Sequence, residues 1–373
     1  MEKDNKYRLC VRCFTYNQAP YIEDALNGFC IQKTNFPFVC TIVDDASTDG
    51  EQEVIKRYLQ ENFDLEDKSI VRNEDTDDYF LTFARHKTNH NCYFVVLYLK
   101  CNHHSIKKSK MPYISEWQDN CKYIAICEGD DYWIDPYKLQ KQVDFMENHP
   151  LYTMCCSDAR IVTTNGEHDW HRYESDTDIS VQDMVLGGGL FVQTATILYR
   201  KQLLENYPDC CKLCHVGDYP LQIWSTLNGS VRYFATKTTV YRFCREGSWT
   251  SESTKKSIEL MIRGWRTEVD MLKGLDVFSG NKYHDFFVKR CTDYIYGLLK
   301  ARPNDWGKIS SAFPDVICDF IMPKKIENFL MCHRLRKLAC IWMLYYYDGI
   351  KAVLVSLPVF RRIYQWKKHG KDY

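Results

Sequence analysis

The chain has 373 residues, 45% apolar and 26% charged, the makeup of a soluble globular protein with room for one large α/β domain and a smaller appendage. Its 49 Lys and Arg balance 49 Asp and Glu, so no overall charge points to nucleic acid. The 18 cysteines are scattered through predicted strands and helices, which suits reduced thiols better than a disulfide framework.

Met1 to Lys6 is polar and no apolar signal core follows, so the expected location is the cytoplasm. Leu9 to Phe14 reads as a strand, left through the turn Thr15, Tyr16, Asn17, Gln18. Cys10 and Cys13 fall within that strand, where their odd spacing sends them to opposite faces. A helix is expected from Tyr21 to Gln32, with Ile22, Ala25, Leu26 and Phe29 at helical spacing. Phe38 to Val43 is a second buried strand ending in Asp44 and Asp45. Thr48 with Glu51 three residues on reads as a capping box opening a helix through Leu59. Strand, helix, strand, helix at this spacing is a βαβ unit of a parallel sheet.

Ser69 to Arg72 is a short strand and Asn73 to Asp78 an acidic loop. From Thr88 to Cys121 the expectation is a helix over the apolar Tyr93–Leu99 stretch plus an inserted loop. His103 and His104 are read there as solvated loop histidines, and Lys107, Lys108 and Lys110 as a solvated basic face. Tyr123 to Cys127 is short, apolar and non-alternating, a central strand buried on both faces. It delivers Glu128, Gly129, Asp130, Asp131, Tyr132 and Trp133 at its carboxyl end, where open α/β sheets place their ligand crevices. Asp135 and Pro136 then start a helix bearing Leu139, Val143 and Met146. Adjacent carboxylates repel and are costly to bury, and a hard divalent cation carrying a diphosphate is their natural complement. A solvated acidic turn is the plainer alternative.

Three motifs, Thr15-Tyr16-Asn17, Val43 to Gly50 and Glu128 to Trp133, together resemble the nucleotide-binding half of family 2 glycosyltransferases over residues 7 to 245. The resemblance implies an α/β, Rossmann-like GT-A domain over residues 1–245, with a mostly helical extension over residues 246–373. It implies that Thr15, Tyr16 and Asn17 border the nucleobase, that Asp45 accepts from a uracil imide N–H, and that Arg85 lies near the nucleotide. Asp130 would sit at the ribose, and Asp131 would hold Mg2+ or Mn2+ on the diphosphate. Trp133, Thr194 and Thr196 would face the acceptor, and Asp218 would deprotonate it. For Asp218, capping the helix Leu221–Asn228 is the competing or coexisting role. Where relatives keep a histidine near the metal, this chain has Cys244.

The remaining elements complete the expectation. Tyr152–Ser157 and Arg160–Thr164 are strands, residues 166–180 a mobile loop, Leu190–Arg200 a strand, and Val231–Phe234 with Thr238–Tyr241 a closing pair. Cys210, Cys211, Cys214 and His215 leave a crowded zinc cluster open. Beyond Ser253 the pattern turns helical, with one helix through Ile258, Met261, Trp265 and Leu272 and another from Tyr283 to Leu299. Leu338–Phe360, followed by Arg361, Arg362, Lys367 and Lys368, is too interrupted to span a bilayer. It suits either an anionic membrane surface or packing on the catalytic domain or on a second subunit.

The resulting expectation is an inverting, hexosyltransferase-type enzyme of bacterial cell-surface polysaccharide synthesis, with a UDP-sugar donor and a glycan or lipid-linked glycan acceptor. It would be cytoplasmic, at most peripheral on the membrane's inner face. A non-catalytic nucleotide-sugar or glycan binding subunit is the rival from another class. A sugar-phosphate nucleotidyltransferase fits less well, because Thr15 to Gln18 is neither glycine-rich nor basic.

Overall fold

A computed structural model describes residues 6–163, 166–243 and 256–316. The chain divides into two compact units, Met1–Lys256 and Ser257–Tyr373.

Among the described residues, the first unit is built on one mixed sheet of 13 strands. Its main strands are β1 (Leu9–Thr15), β2 (Phe38–Asp44), β3 (Tyr79–His86), β4 (Cys92–Leu99), β5 (Tyr123–Ile126), β6 (Tyr152–Thr163), β7 (Leu198–Arg200) and β8 (Ser230–Arg242). They lie in the order β8-β6-β7-β5-β1-β2-β4-β3. The centre, β5-β1-β2-β4, is wholly parallel, so its four carboxyl ends open on the same side. β2 is buried at all seven positions, as expected of a strand covered on both faces. The helices α1 (Ile22–Cys30), α2 (Glu51–Asn62), α3 (Met111–Gln118), α4 (Lys138–Asn148) and α5 (Asp218–Asn228) complete the elements that position the site.

Tyr93–Leu99 is a strand and not the helix expected. A short apolar run carries no periodicity to separate the two, and its β-branched and aromatic side chains decide for β4 between β2 and β3. β3 runs antiparallel to β4 and pairs Arg85 with Tyr93. That places Arg85 at the amino end of the parallel strands, away from the crevice, where its guanidinium lies 4.0 Å from Asp67. The donor role expected of Arg85 is therefore corrected.

The two strands predicted between Tyr152 and Thr164 merge into the 12-residue β6. Gly166–Asp169, expected in a mobile loop, pairs antiparallel with β6, and Thr177–Asp178 pairs with β8. In the Leu190–Arg200 stretch, Thr194–Thr196 forms a single 3-10 turn before β7.

The core beneath the crevice is aromatic. Phe29 of α1 meets the Trp133 ring edge-on at 5.0 Å and Phe94 of β4 at 6.3 Å. Gly28 makes this approach possible, since a Cβ there would stand 2.8 Å from the Trp133 backbone nitrogen.

In the second unit, helices α6 (Ile258–Phe278) and α7 (His284–Ala301) occupy the two stretches with helical periodicity. Ser257 caps α6 by accepting from Leu260 N–H at 3.4 Å. Arg266 bonds Asp315 at 2.8 Å, and Lys273 joins the same carboxylate, which the Arg266 hydrogen bonds hold well below its usual range. Cys244 and the Leu338–Phe360 segment with its basic tail lie outside the described residues. Among the described residues no helix is long and apolar enough to cross a membrane.

Gly28→Ala has no room against backbone atoms and is expected to cost about 1–3 kcal/mol. Urea unfolding checks this, and an unchanged midpoint would mean that α1 is free to move off the Tyr132–Trp133 segment.

Candidate active site

Three loops leave the carboxyl ends of β1, β2 and β5. The first two are held by Glu51, at the start of α2 and fully buried. Its carboxylate accepts from the Thr15 hydroxyl, from Gln18 N–H at 2.8 Å and from the Ser47 hydroxyl at 2.9 Å. Glu51 therefore does not close a capping box with Thr48. The residue before the helix is Gly50 in the left-handed region at φ 93°, and the glutamate reaches back across to the β1 turn. Asn17, at φ 53°, donates its N–H to Ser47 at 2.9 Å and accepts from Thr48 N–H at 2.8 Å. Asp49 accepts from Ala19 N–H at 2.9 Å. Thr15 and Asn17 thus shape the turn, while the Tyr16 ring is left 45% exposed on it.

Asp44 and Asp45 are both buried, with different partners. Asp44 accepts from Gln52 at 2.5 Å and Ser47 N–H at 3.2 Å. Asp45 is gripped by the inserted loop, accepting from His103 N–H at 2.7 Å, His104 N–H at 3.1 Å and Lys110 Nζ at 2.9 Å. Burial works to raise the Asp45 carboxyl, but these three donors outweigh it and hold it below its ordinary value. His103 is accordingly a fully buried residue and not a solvated one, with Nε2 3.1 Å from the Tyr113 hydroxyl. Lys108 and Tyr113 both bond Asp78 at 2.9 Å, latching the loop to the turn before β3. The lysines read as a solvated face are in part structural.

After β5, Glu128, Asp130 and Asp131 bring three carboxylates into electrostatic range. Burial, then the charge of Asp130, push Asp131 well above its usual value, against the Arg242 N–H that bonds its Oδ1 at 3.0 Å. Burial and Asp130 likewise push Glu128 up to about 7, with Arg12 opposing and Asp218 adding to the rise. Arg242 is the principal organiser. Its guanidinium bonds Asp130 O at 2.6 Å and the Asp24 carboxylate, and lies 4.5 Å over the Tyr132 ring. Gly129 is required beneath, because a Cβ there would fall 2.4 Å from the Thr15 hydroxyl. Among the described residues no three His, Cys, Asp or Glu side chains converge as a metal-holding group, the Cys210–His215 cluster included. What this loop offers is an oxygen-only set whose charge two arginines only partly offset. Such a set fits a hard divalent cation that brings phosphate oxygens with it.

Asp218 opens α5 as its first residue, with Gly217 before it, so it is not the helix cap. Its Oδ1 accepts from Tyr219 N–H at 2.8 Å and its Oδ2 from the Thr194 hydroxyl at 3.0 Å. Burial raises its carboxyl above the ordinary value despite both bonds. The structure thus brings Thr194 to Asp218 and excludes the other two residues expected at the acceptor. Trp133 is 1% exposed, with Nε1 donating to Ala195 O at 2.8 Å and Lys138 Nζ lying 4.4 Å over its ring. Thr196 is fully enclosed and donates to Gln193 O at 2.7 Å. Both hold the Thr194 turn from behind instead of facing a ligand. Glu51, Lys110 and Arg242 are the site residues that sequence reasoning missed; only Arg242, next to a position where relatives keep a metal-site residue, carried a signal.

The family model for glycosyl transferase family 2 matches residues 11–77, the stretch that holds β1, β2, their loops and α2. Uncharacterized protein Rv1520 of Mycobacterium tuberculosis is 27% identical over 301 residues, covering 79% of this chain and 75% of its own. Uncharacterized protein Mb1547 of Mycobacterium bovis matches to the same extent. Among solved structures, residues 1–349 of S. aureus TarS in complex with UDP-GlcNAc superpose with a TM-score of 0.54 at 16% identity. That likeness covers 98% of this chain and 93% of that one. The UDP complex of the same protein gives a TM-score of 0.53 at 15% identity. At such identities the likeness concerns the fold, which is GT-A. The motif segment of glycosyl transferase family 2 is thus matched over residues 11–77, and the fold around it is GT-A.

Proposed function

We propose that this chain is an inverting, metal-assisted hexosyltransferase of the cytoplasm, at most peripheral on the membrane's inner face. It moves a sugar from a UDP-sugar to a hydroxyl of a glycan or lipid-linked glycan in cell-surface polysaccharide synthesis. The observation that carries the reading is the pairing of Thr194 with a half-buried, proton-attracting Asp218 within electrostatic range of the Glu128–Asp131 loop.

Donor binding is assigned to the joined β1 and β2 loops. Tyr16 offers its exposed ring as a stacking face for the base, with Thr15 and Asn17 fixing the turn that presents it. Asp45 and Lys110 are assigned to the base edge: exchanging one of its loop donors for an imide N–H would keep the enclosed carboxylate satisfied and release the ammonium to a flanking carbonyl. That TarS was solved with UDP and UDP-GlcNAc supports uridine as the base.

Asp130 is assigned to the ribose, and Asp131 would hold the cation. Mg2+ or Mn2+, when bound there, offsets the negative charge that grows on the departing diphosphate. Asp218 takes the proton of the acceptor hydroxyl as its oxygen bonds to the anomeric carbon and the bond to the diphosphate breaks on the opposite face. A raised carboxyl is the better base for this step. Thr194 orients the carboxylate by its hydrogen bond and stands where an acceptor hydroxyl would approach.

Thermal unfolding with UDP, GDP and CDP, each with and without manganese, tests the donor and cation. A ligand at a hundred times its dissociation constant adds about 2.7 kcal/mol. UDP with manganese should give the largest shift, and Asp131→Ala should abolish its manganese-dependent part. No preference for UDP, or a shift unaltered in that variant, would sink the assignment. Asp218→Asn should keep the UDP shift while sugar transfer to extracted glycans falls by roughly 10²–10⁴-fold. Transfer at the wild-type rate would remove Asp218 from the mechanism.

The carboxylate loop also predicts a pH dependence. Glu128 rises from 4.5 unfolded to about 7 folded, so between those values the folded state holds the extra proton. Stability contributed by that proton is present at low pH and lost as pH rises through 7. Glu128→Gln should therefore gain about 1–3 kcal/mol over wild type at pH 8 relative to pH 4.5, read by urea unfolding. Manganese should narrow the gap, and parallel curves for the two proteins would contradict the charge argument.

A further inference from the structure

A cavity of about 430 Å³ lies beside the Asp44–Ser47 loop and shares no residue with the Glu128–Asp131 loop or Asp218. Its walls include Ser47, Gln52, Lys56, Phe80, Tyr98 and Lys100, drawn from the β2 loop, α2, β3 and the end of β4. Asp44 and Tyr98 are register partners in the parallel β2–β4 pair, so their side chains leave the same face of the sheet. Both are buried, and Asp44 Oδ1 and the Tyr98 hydroxyl have no hydrogen-bond partner. Buried polar atoms are nearly always paired in native proteins, so two orphans on one sheet face, one on the lining residue Tyr98 and one on Asp44 enclosed behind the wall, mark the polar side against which an occupant would be held. Asp44 lies directly behind the wall, since its other oxygen takes hydrogen bonds from the lining residues Gln52 and Ser47.

The rim adds two further kinds of contact. Phe80 is 37% exposed and its ring meets that of Tyr98 at 6.2 Å, giving an apolar face. Lys56 Nζ lies 5.3 Å over the Tyr98 ring and 3.9 Å from Glu53, and Lys100 Nζ bonds Asp75 at 2.7 Å, so two ammonium groups of lining residues, each shared with one exposed carboxylate, are offered to an anion. Hydroxyl donors for a buried carboxylate, a flat C–H face for an aromatic ring and a negative group for two ammoniums are combined in an acidic sugar. We propose that this cavity is a second saccharide-binding site, for a sugar unit carrying a phosphate or carboxylate. Ser47 belongs both to its wall and to the Glu51 hub, so an occupant would bear directly on the donor loops. Taking that sugar as part of the acceptor glycan rests on the transferase reading, whereas the binding itself does not.

The full-length protein is titrated by NMR with glucose 1-phosphate, glucuronic acid, glucose and inorganic phosphate. The wild type is compared with Phe80→Ala and Lys56→Glu, with thermal midpoints confirming that both variants fold. At least one acidic sugar should bind saturably, with glucose and phosphate each at least tenfold weaker and both variants weakening the acidic sugar at least tenfold. Preference for glucose 1-phosphate or for glucuronic acid identifies the anionic group. Absence of saturable binding by either acidic sugar, or binding unchanged in both variants, overturns the proposal. The UDP shift with manganese is measured on the same samples. Its loss in the wild type would count against the donor reading alone, and its retention in the variants separates the two sites.

Discussion

Glu51 is the side chain on which the crevice depends. Parallel strands β1 and β2 set their loops side by side, but past the last rung of the ladder the backbone N–H groups of those loops have no strand partner. A buried carboxylate supplies strong acceptors at that point, taking one bond from Gln18 N–H and two from the hydroxyls of Thr15 and Ser47. Neighbouring Asp49 does the same for Ala19. Both side chains belong to the entry of α2, so the helix, the β1 turn and the β2 loop form one unit. Tyr16 can stay exposed on its turn because the residues either side of it are fixed this way.

The carboxylates after β5 impose the opposite constraint. The charge of Asp130 raises both Glu128 and Asp131, and Asp218 adds to the load on Glu128. Arg242 offsets part of it, with a backbone N–H on Asp131 and its guanidinium on the Asp130 carbonyl. It reaches them because Thr239 and Val240 of β8 pair with Trp133 and Tyr132, which carries the strand's end to the loop. A fold selected for stability alone would not gather these groups. Their arrangement makes sense where a cation and a leaving diphosphate complete the charge balance.

Legibility in the sequence followed the range of the interaction. The parallel β1-α1-β2 unit, the position of the Asp130–Asp131 loop and a helix starting at Asp218 were readable because strand ends, helix starts and their loops are local in sequence. Arg85 was misplaced because its position depends on β3 running antiparallel to β4, a pairing that nothing within β3 announces. Trp133 and Thr196 belong to the right loops but face inward, a consequence of α1 and α4 packing behind them that residue type does not reveal. Glu51 looked like half of a capping box because two of its three partners, Gln18 and Thr15, lie 33 and 36 residues earlier in the chain. Tyr93–Leu99 was ambiguous in principle, since a buried strand and a buried helix of that length show the same unbroken run of apolar residues.

The adjacent aspartates show how one local sequence serves two environments. Asp45 receives three donors from residues 103–110, an insertion placed beside it by α3 and latched by Asp78, and is thereby held ionised although buried. Asp44, one residue earlier and pointing with the strand's alternation to the face it shares with Tyr98, receives two donors on one oxygen and none on the other. Burial dominates there and its carboxyl rises instead. An insertion that stabilises one carboxylate while its neighbour stays half-satisfied separates a rigid wall from a receptive one across a single peptide unit. Ligands on the two sides would then communicate through Ser47, which bonds Asp44, Asn17 and Glu51 at once.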